Sequence, residues 1–302
     1  MRVAEAISQG IGAAWRTKWL AMIFLACQLV LAAAVAAPMY SAIADHVGKS
    51  AVGNELAHGF SSAWLLELQI AYSGFLKGFS TAIVYAGVLF LLLNTVLSAG
   101  AFEVFTRGAG AGLHAFGRGV GKYFLRFFRL MVIASALYFV CFLVLQDLGD
   151  KGLRWLFSKS VYGGPLFYLQ WLRWALLAFL VFVISMIMEY AKADLVRDDH
   201  ASVLAALGHA AGFVFSHFGR TLAIYLGLGA LGALTILVYG AFARFFPQGS
   251  ALTVFVWFLV AQALMYARWI FRLASWAAEI SFYRVHAHTQ PAQEASLADL
   301  PA

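Results

Sequence analysis

The sequence predicts an all-α polytopic membrane protein. It has six transmembrane helices in a bundle, cytoplasmic interfacial amphipathic helices beside them, and three parallel repeats about a pseudo-threefold axis. Three observations carry this prediction. Apolar runs of about 20 residues recur along the chain, each long enough to cross about 30 Å of hydrocarbon as a helix. Only 12% of the residues are charged and 63% are hydrophobic, whereas soluble domains carry about 25% charged residues. Finally, residues 113–129 are echoed at 204–220. Leu113, Ala115, Gly117, Gly121, Phe124, Phe127 and Arg129 recur as Leu204, Ala206, Gly208, Gly212, Phe215, Phe218 and Arg220. Alternating ten-residue segments, the mark of an outer-membrane barrel, are absent.

In chain order, residues 2 to 18 are mildly amphipathic and Trp19 to about Tyr40 forms the first membrane helix. A basic start, an apolar run and AAAVAAP imitate a cleaved signal peptide. The segment is nevertheless expected to be retained, because Ala6, Gly12, Trp15 and Met22 fall on Ala115, Gly121, Phe124 and Met131 and so belong to the repeat. Residues 41 to 78, with Trp64, Leu65, Leu68 and Phe75, suggest a short helix on the far membrane surface. The second membrane helix spans about Phe79 to Phe102, a basic surface helix follows, and the third spans about Leu130 to Gln146. A turn at Gly163, Gly164 and Pro165 carries the aromatic anchors Trp155, Phe157, Tyr162 and Tyr168, as befits an interface. The fourth helix runs from Trp171 to about Lys192, the fifth from Leu222 to Phe246, and the sixth from Leu252 to about Phe282.

Each repeat is then a surface helix followed by two crossings, at about 3–102, 112–193 and 203–283, within one membrane domain of residues 1–284. Residues 285–302 lack periodicity and read as a disordered tail. Two crossings return the chain to its starting side, so the three units share one orientation. The side holding both termini carries twelve Lys and Arg residues and the other side seven. The positive-inside rule therefore puts both termini in the cytoplasm, at an inner membrane.

The surface helices are checked by angle, at about 100° per residue. Leu113, Phe116, Val120, Phe124, Phe127 and Met131 share one arc, and Arg118, Lys122, Arg126 and Arg129 the opposite one. The later copy keeps the apolar arc in Leu204, Leu207, Ala211, Phe215, Phe218 and Leu222, with His209, His217 and Arg220 opposite. Such helices lie in the headgroup plane, with cations reaching phosphates. Asp199 and Ser202 read as capping residues.

The net charge of +7 sits at the ends of apolar spans. The partners it implies are membrane lipids with anionic headgroups, and not nucleic acid. The candidate lipid or anion sites are Arg118, Lys122, Arg126, Arg129, Arg220, Arg268 and Arg272. Two readings of Arg268 and Arg272 stay open: a site for a phosphate inside the bundle, or a long helix carrying its charges out of the hydrocarbon. Glu103, Asp194 and Glu279 recur just after the even-numbered helices and read as ion-pairing partners of basic residues in neighbouring units. Glu189, Asn94, Gln28 and Gln262 lie deeper and read as interhelical hydrogen-bonding residues, and Gly227, Gly229 and Gly232 as close-packing positions. The histidines lack the spacing of a zinc site, so neither metal nor cofactor is expected. HExxH, GxSxG, P-loop and Rossmann patterns are all missing, and no catalytic residue is assigned. Asp198, Asp199 and His200 are explained by a helix start.

The stretch DLVRDDHASVLAALGHAAGFVFSHFGRTL resembles the surface-helix segments of a group of bacterial six-helix integral membrane proteins. It is similar to the membrane domain attached to some glycerophosphodiester phosphodiesterases. The resemblance implies a bacterial inner-membrane address and a link to envelope lipids. The phosphodiesterase's catalytic domain is missing here, so no enzyme activity follows. The leading expectation is a non-enzymatic module binding anionic lipid, acting in envelope organisation or as the subunit of a membrane-protein or homo-oligomeric partner. The alternative is a transporter of a lipid or small anionic solute along a charged cavity lined by the sixth helix.

Overall fold

A computed structural model describes residues 2–47, 70, 73–108, 110–157, 164–197, 199, 202–245 and 250–287. These residues form eight helices: α1 (Val3–Arg16), α2 (Lys18–Val47), α3 (Ser73–Arg107), α4 (Leu113–Phe157), α5 (Gly164–Arg197), α6 (Val203–Ser216), α7 (Phe218–Phe245) and α8 (Ala251–Ala287). Six of them are long and apolar enough to cross a membrane, namely α2, α3, α4, α5, α7 and α8. The protein is a multi-pass, all-helical membrane protein.

The expected surface segments behave differently from one another. At the N terminus and again before α7, a 14-residue helix ends and a membrane helix starts after a single intervening residue, Thr17 or His217. At both places the backbone tightens: Leu20 N–H donates to Thr17 O at 2.9 Å, and Arg220 N–H to His217 O at 2.9 Å. Hydroxyls compete for the ladder at the second break, with Ser216 Oγ on Gly212 O and Thr221 Oγ1 on His217 O. The middle segment has no such break. The expected separation of a surface helix from a third membrane helix starting at Leu130 is replaced by one continuous helix of 45 residues. The position matching Thr17 and His217 is Arg126, set among Leu125, Phe127 and Phe128 with no Ser, Thr or Gly beside it.

Ser202 caps α6, accepting from Ala205 N–H at 3.3 Å. Asp199, expected to share that task, instead adopts a left-handed backbone with φ of 52° and turns to other partners. Helix α8 continues to Ala287, so the expected tail begins later than residue 285; residues 288–302 lie outside the described residues. The expected surface helix around Trp64 also lies outside them, as does Gly163 of the expected turn, while Gly164 and Pro165 begin α5.

The chain forms two compact units. The first draws on Met1–Arg16, Ser98–Ala230 and Arg272–Ala302, the second on Thr17–Leu97 and Leu231–Phe271. In the first unit, Phe102 sits between Phe127 (ring centroids 5.7 Å) and Trp276 (5.4 Å), and Phe213 lies 4.7 Å from Tyr283 and 5.4 Å from Tyr190. Small residues let the short helices approach. Gly10 of α1 lies against Ala274 O and Ala278 of α8, and a Cβ at Gly119 of α4 would stand 2.5 Å from the Glu103 side chain and 2.8 Å from Ala99 O of α3. In lipid, where apolar surfaces gain little from meeting one another, such backbone approach is a principal source of helix association. The glycines of α7 contribute less than expected: Gly227 meets Ile7 at ordinary contact distance, while Gly229 and Gly232 have open space among the described residues.

In the second unit, the Trp269 ring lies tilted against Phe24 at 4.6 Å and its indole N–H donates to Gln28 Oε1 at 2.8 Å. Gln28 is thus an interhelical hydrogen-bonding residue, tying α2 to α8. Tyr266 OH adds a bond to Lys18 O at 3.3 Å.

Candidate functional site

Two sets of polar residues are built into the first unit. One is buried. Glu103, Glu189, Asp194 and Glu279 are each no more than 4% exposed, and a buried carboxylate is costly unless paired or hydrogen-bonded. Each has a partner. Glu103 is bound by Arg107, one turn further along α3. Glu189 of α5 is bound by Arg272 of α8. Asp194 accepts from Tyr283 OH at 2.6 Å, with His209 Nδ1 at 3.6 Å, and Glu279 accepts from Ser275 Oγ at 2.8 Å. The Arg272 guanidinium also lies 5.5 Å from the Trp276 ring. The Glu189–Arg272 and Asp194–Tyr283 contacts join α5 to α8.

The other set is peripheral and basic. Lys122 Nζ and Arg126 Nη1 of α4 reach Asp199 at 2.9 and 2.6 Å. The Lys122 ammonium, and then the Arg126 guanidinium, hold the Asp199 carboxyl below the usual carboxylate range. Arg118, Arg129 and Arg220 are exposed, and among the described residues no carboxylate lies in ion-pair range of them. Arg268 is exposed on α8 and belongs to the second unit. Of the seven candidate cations, Lys122 and Arg126 therefore share one acidic partner, Arg272 is engaged by a buried glutamate, and the other four have no carboxylate partner among the described residues.

α1, the start of α4 and α6 each pack one face on protein. The faces packed on protein are Ala6, Gly10 and Ala14 of α1; Ala115, Gly119, Tyr123 and Phe127 of α4; and Val203, Ala206, Ala210, Phe213 and Val214 of α6. This stripe lies beside the expected apolar arc and shares only Phe127 with it. Phe116, Val120 and Phe124 are half-buried, and Leu113, Leu204 and Phe215 are exposed. Close backbone approach falls at Gly10 and Gly119 of this stripe, where a larger side chain would not fit.

Sequence reasoning missed two partners. Asp199 looked like a helix cap, yet it holds Lys122 and Arg126, the latter from 73 positions away. The only signal was that Lys122 and Arg126, one turn apart, offer two cations on one face. Tyr283 as partner of Asp194 left no local signal at all. Asp198 and His200 lie outside the described residues, so any convergence with Asp199 does too. Comparison of the chain with protein-family models, with curated proteins and with solved structures gives no match. Function must therefore be argued from these residues.

Proposed function

We propose that the protein is a non-enzymatic membrane module whose basic cytoplasmic collar selects anionic lipids, serving envelope organisation or a partner subunit. The observation that carries this reading is the set of exposed arginines, Arg118, Arg129 and Arg220, which no described carboxylate neutralises although they flank apolar membrane helices. Each such cation near a membrane surface is worth about 1 kcal/mol toward acidic lipid.

The triplicated architecture belongs to the same proposal. It is supported by the matching bounds of α1 and α6, offset by 200 positions, which agrees with the offsets of 109 and 91 in the sequence. The small stripes agree too, since Ala6, Ala115 and Ala206 are equivalent and all buried, as are Gly10, Gly119 and Ala210. The basic side is read as cytoplasmic and the membrane as the bacterial inner membrane, in keeping with the resemblance to phosphodiesterase-linked membrane domains. Transport through a cavity lined by the sixth helix draws less support, because the Arg272 guanidinium is engaged by Glu189.

The test is lipid selectivity at the protein surface, read with spin-labelled phosphatidylglycerol and phosphatidylcholine in reconstituted vesicles. The wild type should prefer phosphatidylglycerol, and R118Q/R220Q should lower that preference by at least about twofold. Equal preference in both proteins would sink the collar.

A further inference from the structure

Beside the break between α5 and α6, a groove of about 700 Å³ opens between the fourth turn onward of α4 and the first turn of α6. Its lining includes Phe128, Arg129, Val132 and Ile133 on one side and Ser202 and Leu204 on the other. The volume is in the range of about 300–1,000 Å³ typical of ligand clefts. Two kinds of surface meet in it. Phe128, Val132, Ile133 and Leu204 are apolar, and Val132 and Leu204 are 50% and 70% exposed. At one level stands Arg129, whose two neighbouring cations Lys122 and Arg126 are already held by Asp199.

The vertical order is that of a phospholipid. Arg129 immediately precedes the apolar run from Leu130, and Val132 and Ile133 lie about 4.5 and 6 Å deeper along α4, at about 1.5 Å per residue. A phosphate at Arg129 would also meet the start of α6. There Ser202 Oγ takes the Ala205 N–H and Ser202 O the Ala206 N–H, while Val203 and Leu204, which line the groove, begin the helix. The positive end of a helix adds to the attraction for an anion but would not suffice alone. The pairing of a guanidinium that no described carboxylate neutralises with an apolar trough is what fits one molecule bearing both an anionic head and an acyl chain.

We infer that this groove is a discrete, slowly exchanging site for one anionic phospholipid, its phosphate on Arg129 and an acyl chain against Val132, Ile133 and Leu204. The site rests on the proposed lipid-selective collar and sharpens it from a general preference to one resident molecule. Asp199 has a specific part in it. By occupying Lys122 and Arg126, it leaves Arg129 as the cation facing the trough.

The experiment is native mass spectrometry of the full-length protein, purified from membranes and washed in detergent with either phosphatidylglycerol or phosphatidylcholine. One phosphatidylglycerol should stay bound to the wild type and phosphatidylcholine should not replace it. R129Q should lower the retained fraction by about tenfold, the effect of losing a charge-assisted bond. I133W, which fills the trough and leaves every charge in place, should lower it as well. Retention by R129Q or by I133W equal to the wild type would overturn the site. That outcome is distinct from failure of the collar, which is read from surface selectivity in R118Q/R220Q, a variant that leaves the groove intact.

Discussion

From Tyr168 to Phe182 no side chain of α5 is buried, whereas ten of the fifteen from Val183 to Arg197 are. The first half is nearly all apolar and belongs to a candidate membrane span. The second carries Glu189, Tyr190, Lys192, Asp194 and Arg197. The same inversion appears at the end of α8, where Leu273 to Ile280 are buried. In a soluble protein the apolar half would be the core. Here lipid solvates it without cost, and helix association has to be made by close backbone approach, hydrogen bonds and paired charges. The tightly packed part of the first unit is therefore its polar part. Substitutions should hurt most where the chain looks least hydrophobic.

The largest effect is expected at the Glu189–Arg272 pair. Its partners are unequal: the Glu189 side chain is 3% exposed and that of Arg272 40%. Removing the arginine strands a buried carboxylate, while removing the glutamate leaves a less buried guanidinium that keeps the Trp276 ring beside it. R272M should therefore destabilise by about 3 kcal/mol, the lower end of the range for breaking a buried pair. E189M should cost clearly less. The double variant E189M/R272M should recover most of the loss, since apolar replacement of a whole buried pair is often neutral. Thermal unfolding of the detergent-solubilised protein measures all three. Equal losses for the two single variants would break the contrast between the buried and exposed ends of the pair.

A smaller effect separates glycines that look alike in the sequence. Gly117, Gly119 and Gly121 alternate along α4, and among the described residues only Gly119 has a neighbour in its way: a Cβ there would press on Glu103 and Ala99. G119A should lower the unfolding midpoint, at about 1–3 kcal/mol for overpacking. G121A, in open space, should be neutral or slightly stabilising, because Ala is the better helix former. If both behave alike, α4 does not lean on α3 as described.

These cases also mark what could be read in advance. The membrane class and the six spans were legible because length and apolarity act locally and need no partner. The short helices were legible at Val3–Arg16 and Val203–Ser216, where Thr17, Ser216 and Thr221 weaken the backbone ladder. At Leu113 the sequence suggested a separate element where α4 runs on unbroken, because whether a helix bends at an interface depends on single residues such as Arg126. The stripe packed on protein was not foreseen, since hydrophobic periodicity finds the face that avoids water and says nothing of which face approaches another backbone. Glu189 and Arg272, 83 positions apart, have no local signature. Only tertiary placement makes them a pair.

The smallest effect concerns Asp199, which is half-exposed and whose ion pairs are screened by solvent. Because Lys122 and Arg126 hold its carboxyl below the ordinary value, of about 3.9, the link contributes stability at neutral pH. That contribution starts to fade as pH falls below about 4 and is gone once pH passes the depressed folded value. The stability difference between wild type and D199N should thus be small at pH 7 and shrink on acidification below about pH 4. High salt should shrink it as well. A difference that held or grew at low pH would place the carboxyl elsewhere. The same substitution has an opposite consequence for lipid. It frees two cations beside the α4–α6 groove, so D199N should raise the surface preference for phosphatidylglycerol while R118Q/R220Q lowers it. A residue that stabilises the fold and restrains lipid binding gives the two readouts opposite signs, and an unchanged preference in D199N would mean that Lys122 and Arg126 never face the headgroups.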